Sequence, residues 1–170
     1  PLSALSESEE ARLKLPAFIA CLGMLFQSAY SFTIPDNYQE QLAAKARECF
    51  LSKKDIVELN GQKLSIRTDC SNFVRYLYYT VTGLDIFAMT RKLMLTNILL
   101  SEEQSGCFAL YLFFVRQHRF SKTEPKIGDV IFFDNTYDHN HNKIWDDLLT
   151  HVGSVINTDD TGGVSFIHSN

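Results

Sequence analysis

Cys70, His151 and His168 are the residues whose types and placement can form a nucleophile and its base. Cys70 follows Thr68 and Asp69, both helix-capping types, and leads into the apolar stripe Phe73, Val74, Leu77 and Val81. That spacing predicts a helix from Cys70 to Thr80, closed by Gly83, with the cysteine at its start. The first backbone N–H groups of a helix and its dipole favour an anion. A thiolate held there is more acidic than usual and becomes a usable nucleophile, and the same N–H groups can hold an oxyanion. His151 opens one apolar run and His168 closes the next, around the turn residues Asp159-Asp-Thr-Gly-Gly163. A hairpin centred near Asp160 sets the two histidines opposite each other, with Cβ atoms about 5 Å apart. One imidazole can then orient the other. Cys49 and Cys107 sit inside apolar helical patterns and read as packing residues. His118, at a helix end after Arg116 and Gln117, reads as structural.

The elements that must position these groups follow from the rest of the pattern. Pro35 and Asp36 break the chain ahead of a helix over Tyr38 to Phe50, with Leu42, Ala46, Cys49 and Phe50 on one face. Asp55–Leu59 and Gln62–Ile66 flank Asn60-Gly61, a strong hairpin signal. Ala88–Leu100 and Cys107–His118 read as two further helices. Asp129–Phe133 is a strand after the turn at Pro125–Gly128, and His151–Ile156 and Val164–His168 are the next two. Helices first and an antiparallel sheet after them make an α+β fold.

Composition narrows the function classes. The chain has 170 residues, enough for one domain with a core. A net charge of −4, from 16 basic and 20 acidic residues, supplies no basic face for nucleic acid. The four cysteines match no C-x-x-C pattern for zinc or redox work. In the N-terminal segment, residues 1–34, Arg12 and Lys14 precede the apolar run Leu15–Phe26 and then Ser28-Ala29. This segment reads either as a secretory signal or as an N-terminal helix of the domain. The run is too short to span a bilayer, which takes about 20 residues. The polar loop Asp134–Asp147 has Asp138, Asn140, Asn142 and Asp146 at spacings that suggest a calcium loop. Lys143 stands where such loops need glycine and Leu149 where they need glutamate, so an Asx-rich surface loop is the favoured reading and no metal is assigned. The loop leads into His151 and should border the site, and its Trp145 is placed to line a substrate groove.

Four ordered motifs resemble the NlpC/p60 cell-wall peptidases. Thr68-Asp-Cys-Ser-Asn-Phe-Val74 resembles their Asp-Cys-Ser-Gly-Phe-Val signature, and Ile127-Gly-Asp-Val-Ile-Phe-Phe133 their Pro-Gly-Asp-Leu-Val-Phe-Phe strand. Thr150-His-Val-Gly-Ser-Val155 resembles their His-Val-Gly-Ile strand, and Phe166-Ile-His168 their Phe-Ile-His strand. The resemblance implies a papain-like core over residues 35–170. It implies Cys70 as nucleophile, His151 as base and His168 as the residue that orients it. Asp69, Ser71 and Asn72, beside the nucleophile, fall on the substrate side. The implied activity is hydrolysis of peptide bonds in peptidoglycan stem peptides through a thioester, by an exported monomer of the bacterial periplasm or envelope that needs no cofactor. Two departures stand out: Asn72 replaces the usual glycine, and Leu59 stands where many relatives carry tyrosine. An N-acetylmuramoyl-L-alanine amidase and an inactive wall-binding module are the alternatives.

Overall fold

The computed structural model describes residues 35–94, 105–122 and 124–169. The chain divides into the units Pro1–Phe32 and Thr33–Asn170, and the described residues belong to the second. The expectation of a signal or helix in residues 1–34 lies outside the described residues.

The element order is α1 (Tyr38–Ser52), β1 (Ile56–Leu59), β2 (Gln62–Ser65), α2 (Cys70–Thr82), α3 (Ile86–Met94), α4 (Gly106–Arg116), β3 (Val130–Phe133), β4 (His151–Thr158) and β5 (Val164–His168). Helices precede a small antiparallel sheet, an α+β arrangement consistent with the papain-like core. The helix expected over Ala88–Leu100 starts earlier, at Ile86, and its residues 95–100 are outside the described set.

Leu42, Ala46 and Cys49 carry the buried stripe of α1, but Phe50 is 67% exposed. It falls in the last turn, where it borders a cavity of about 400 Å³ with Ile66, Phe73 and Ile167 instead of joining the core. Asn60 and Gly61, at φ 50° and 77°, both take the left-handed conformation of a tight β1–β2 turn. Tyr79 donates its hydroxyl to Asn60 Oδ1 at 2.9 Å, which ties that turn to α2.

Helix α2 is the centre of the domain. Phe73, Val74 and Leu77 pack in one apolar cluster with Leu42 of α1, Leu110 of α4 and Val152 of β4. Behind it, Arg75 donates Nε to Asp85 Oδ1 and Nη2 to Asp85 Oδ2, each at 2.8 Å. The two side chains are only 8% and 10% exposed. Burial pushes the Asp85 carboxyl up, but the Arg75 bonds outweigh it and hold it below its ordinary value. The pair's contribution is therefore present above the ordinary carboxylate range and is lost as pH falls through the lowered value. Arg75→Ala strands a buried carboxylate and is expected to cost about 3–5 kcal/mol at neutral pH. Chemical denaturation checks this, and the loss should shrink at acid pH, where Asp85 is protonated.

The sheet has the order β3-β4-β5, so β4 is central. Its register corrects the expectation of directly opposed histidines. Gly153, not His151, lies opposite His168, because the hairpin centres on Thr161 rather than near Asp160, with Thr158 facing Val164; a bulge between Val155 and Asn157 moves His168 one residue back toward His151. The Asp159 carboxylate gathers the N–H groups of Thr161 and Gly163 and so holds the turn between Thr158 and Val164. His151 and His168 are thus diagonal neighbours on one face, a spacing long side chains still bridge. Glycine suits position 153, since a Cβ there would crowd the Phe166 ring at 3.0 Å and the Ile167 carbonyl oxygen at 3.1 Å.

Candidate active site

Helix α2 begins at Cys70 because Asp69 caps it. The Asp69 backbone is extended, and its Oδ1 accepts the N–H of Asn72 at 2.9 Å. The same Oδ1 takes the Ser71 hydroxyl at 2.7 Å, and Oδ2 takes the Asn72 side-chain amide at 2.9 Å. Asp69, Ser71 and Asn72 therefore close one capping network. The N–H groups of Cys70 and Ser71 remain as first-turn donors with no carbonyl of their own helix to meet.

A second helix start abuts the first. Ser105 caps α4 by accepting the Phe108 N–H at 3.2 Å, which puts Cys107 in the first turn of α4. Gly106 permits the approach: a Cβ there would overlap the Ser71 side chain. The Cys107 sulfur lies 3.7 Å from the Cys70 sulfur. Cys107 is 4% exposed, as a packing residue would be, but its thiol meets the candidate nucleophile. Sequence spacing gives no sign of that meeting. Only the Ser105 cap, two residues ahead of Cys107, hints that this cysteine also opens a helix.

The Cys70 thiol is lowered to about 7. The hydrogen bond with Cys107 is the largest cause, burial opposes it, and the backbone N–H of Val152 lowers it further. The Asp69 charge acts against the thiolate, and the Ser71 N–H favours it. Cys107 moves the other way, raised by its bond to Cys70 and by burial. The more exposed sulfur is thus the thiolate and the more buried one keeps the proton. Cys70 also packs against the cluster that includes Val152 of β4, the residue after His151.

His151 Nε2 and His168 Nδ1 are 2.9 Å apart. Phe133 and Phe166 wall the pair, with ring centres 6.0 Å from His151 and 5.6 Å from His168 respectively. Burial, then the charge of His168, holds the His151 imidazole below its ordinary value, so it is neutral at pH 7. With Nε2 engaged, Nδ1 is the His151 atom left for proton transfer.

The polar loop is held mostly by its own side chains. Asp138 accepts the N–H groups of Asn142 and Lys143 at 3.1 and 2.9 Å, and Asn142 accepts that of Ile144 at 2.7 Å. Asn140 and Asn142 both donate to Asp146 Oδ1, at 3.5 and 3.2 Å. These are the self-bonds of an Asx-rich loop. Among the described residues no group of three or more His, Cys, Asp or Glu side chains is placed to hold a metal. Burial first, then the negative charge shared by the cysteine pair, raises the Tyr137 hydroxyl. Trp145, 69% exposed, stands out from the loop, whereas Leu59 is 1% exposed within the core.

Among the described residues, no helix is long and apolar enough to cross a membrane. No curated protein and no solved structure matches the chain. Residues 57–170, well over half of the sequence, match the NlpC/P60 family. The match spans Cys70, Cys107, His151 and His168 alike. The chain therefore belongs to the NlpC/P60 family, which is typically one of cysteine peptidases and implies a cell-wall peptidase activity in broad terms.

Proposed function

We propose that the chain is a cysteine endopeptidase that hydrolyses peptide bonds in peptidoglycan stem peptides. Cys70 is the nucleophile, His151 its base and His168 the residue that orients the base. The observation that carries this reading is the 2.9 Å contact between His151 Nε2 and His168 Nδ1. It aligns one ring and frees its second nitrogen, on a strand whose next residue, Val152, belongs to the cluster against which Cys70 packs.

The chemistry follows from these atoms. As the Cys70 sulfur attacks the amide carbonyl carbon, its proton passes to His151 Nδ1, and the carbonyl oxygen takes the electron pair. First-turn N–H groups of α2 stabilise that oxyanion. The intermediate collapses to a thioester, and the leaving amine takes a proton from His151 Nδ1. Water, giving its proton to His151 Nδ1, then releases the acid and restores Cys70. His168 Nδ1 accepts from His151 Nε2–H throughout and keeps that tautomer. No cofactor takes part. Asp69, Ser71 and Asn72 shape the substrate side through the cap, and exposed Trp145 lines the groove. Peptidoglycan lies outside the cytoplasm, so the enzyme works after export, in the periplasm or envelope of a bacterium, as a monomer.

Digestion of purified peptidoglycan, with mass spectrometry of the products, tests the reading. Stem peptides cut between amino acids support it. Release of intact stems from the glycan makes the chain an amidase instead, and unchanged muropeptides with folded protein overturn both.

Alkylation gives a second expected outcome. The rate of iodoacetamide reaction at Cys70 should rise with a midpoint of about 7. In Cys107→Ala the largest lowering influence is gone, so the midpoint should climb toward the ordinary thiol value, about 8.5.

A further inference from the structure

The paired sulfurs have a use that hydrolysis does not require. We propose that Cys70 and Cys107 form a peroxide-responsive pair, in which oxidation joins them in a disulfide that masks Cys70.

The geometry supports the bond. The sulfurs are 3.7 Å apart, already in contact. A disulfide needs about 2.05 Å, an approach that small side-chain rotations can supply. Gly106, beside Cys107, lies against the Ser71 side chain, beside Cys70, so no Cβ stands between the two helix starts. Cys49, the other described free cysteine, lies in α1 and lines the cavity beside Phe50.

The two cysteines also divide the labour that such chemistry needs. Cys70 is half-buried and reachable by a small oxidant, whereas Cys107 is 4% exposed and shielded. The Cys70 thiolate attacks one oxygen of hydrogen peroxide, the O–O bond breaks, and hydroxide leaves. Cys70 is then a sulfenic acid. The Cys107 sulfur attacks the Cys70 sulfur and expels the hydroxyl group, which leaves as water with the Cys107 proton. Two electrons pass from the cysteine pair to the peroxide, giving one water and one hydroxide, which takes a proton from the solvent. The first step removes the Cys70 charge that opposes ionisation of Cys107, so the second step becomes easier as the first is completed. A thiol reductant reverses the bond by exchange.

The bridge depends only on the two thiols, while the loss of enzyme activity that it implies rests on Cys70 being the nucleophile. The test treats the full chain with a few equivalents of hydrogen peroxide at pH 7. Peptide mapping without reduction should find Cys70 joined to Cys107, and maleimide labelling of Cys70 should fall at least ~10-fold and return after dithiothreitol. In Cys107→Ser, the same treatment should carry Cys70 on to the sulfinic acid, which dithiothreitol does not reverse. Over-oxidised Cys70 beside a free Cys107 thiol in the unmodified protein overturns the proposal, as does a bridge to Cys21 or Cys49. Both readouts come from the unmodified protein and stand even if the variant does not fold. Muropeptide release that persists in fully bridged protein contradicts the nucleophile assignment, not the bridge.

Discussion

Cys70→Ser should lower the rate of peptidoglycan hydrolysis by about 10⁴-fold or more while leaving the fold intact, because removal of a nucleophile costs nearly the whole of the catalytic advantage. The hydroxyl is close to the thiol in size, so the α2 start, the Asp69 cap and the packing on Gly106 persist. What changes is ionisation. The surroundings lower a thiol to about 7, but the same surroundings leave a serine hydroxyl almost wholly protonated. Circular dichroism and thermal unfolding of the variant should match the unmodified protein. Retention of a tenth of the activity by a folded variant would show that another group attacks the substrate.

His151→Ala is expected to slow hydrolysis by about 10²–10⁴-fold, the usual range for loss of a general acid–base. This site adds a sharper expectation. The influences that lower the Cys70 thiol are Cys107 and the N–H groups of Val152 and Ser71, with burial and Asp69 opposing them. None of them is the His151 side chain. Iodoacetamide should therefore alkylate Cys70 in the variant at nearly the unmodified rate, with its midpoint still about 7, although turnover has collapsed. A resting thiolate–imidazolium pair would behave otherwise: removing the imidazole would raise the thiol and slow alkylation in step with hydrolysis. The lowered imidazole of His151 agrees with the first picture, since burial and His168 both disfavour its cation. The base thus receives its proton during the reaction and does not hold it beforehand.

Much of this arrangement is legible in the sequence, and the reasons are local. Thr68-Asp69 ahead of an apolar stripe specifies a capped helix, and the cap does form, with Cys70 as the first helical residue. Asn60-Gly61 specifies a tight turn through two left-handed residues. The pairing of His151 with His168 followed from a hairpin, although the register differs. Asp159 draws the turn around its carboxylate, and a bulge near Ile156 adds a residue that alternation alone does not reveal. The contact survives because the bulge returns His168 to the face of His151, two residues along the strand from a direct pairing. Phe50 shows another limit, since helical phase places it on the inner side while it stands 67% exposed at the edge of a cavity.

The Cys107 contact was not legible at all. It depends on two helix starts converging across a stretch of sequence that includes α3, a tertiary fact with no periodic signature. Cys107 in an apolar helix looks like any buried cysteine until Gly106 is seen against Ser71. The chemistry of the site is most distinctive at this contact, because the same thiol that acidifies Cys70 is placed to join it on oxidation.

The central assignment, Cys70 as the attacking atom, is tested most directly by trapping its acyl intermediate. Protein mixed with a peptidoglycan stem peptide and quenched in acid within the first turnovers should carry an added acyl mass. Proteolysis should place that mass on the peptide containing Cys70, and neutral hydroxylamine should remove it, as expected of a thioester. Hydrolysis that proceeds with no such adduct, or with the adduct on another residue, would contradict the account.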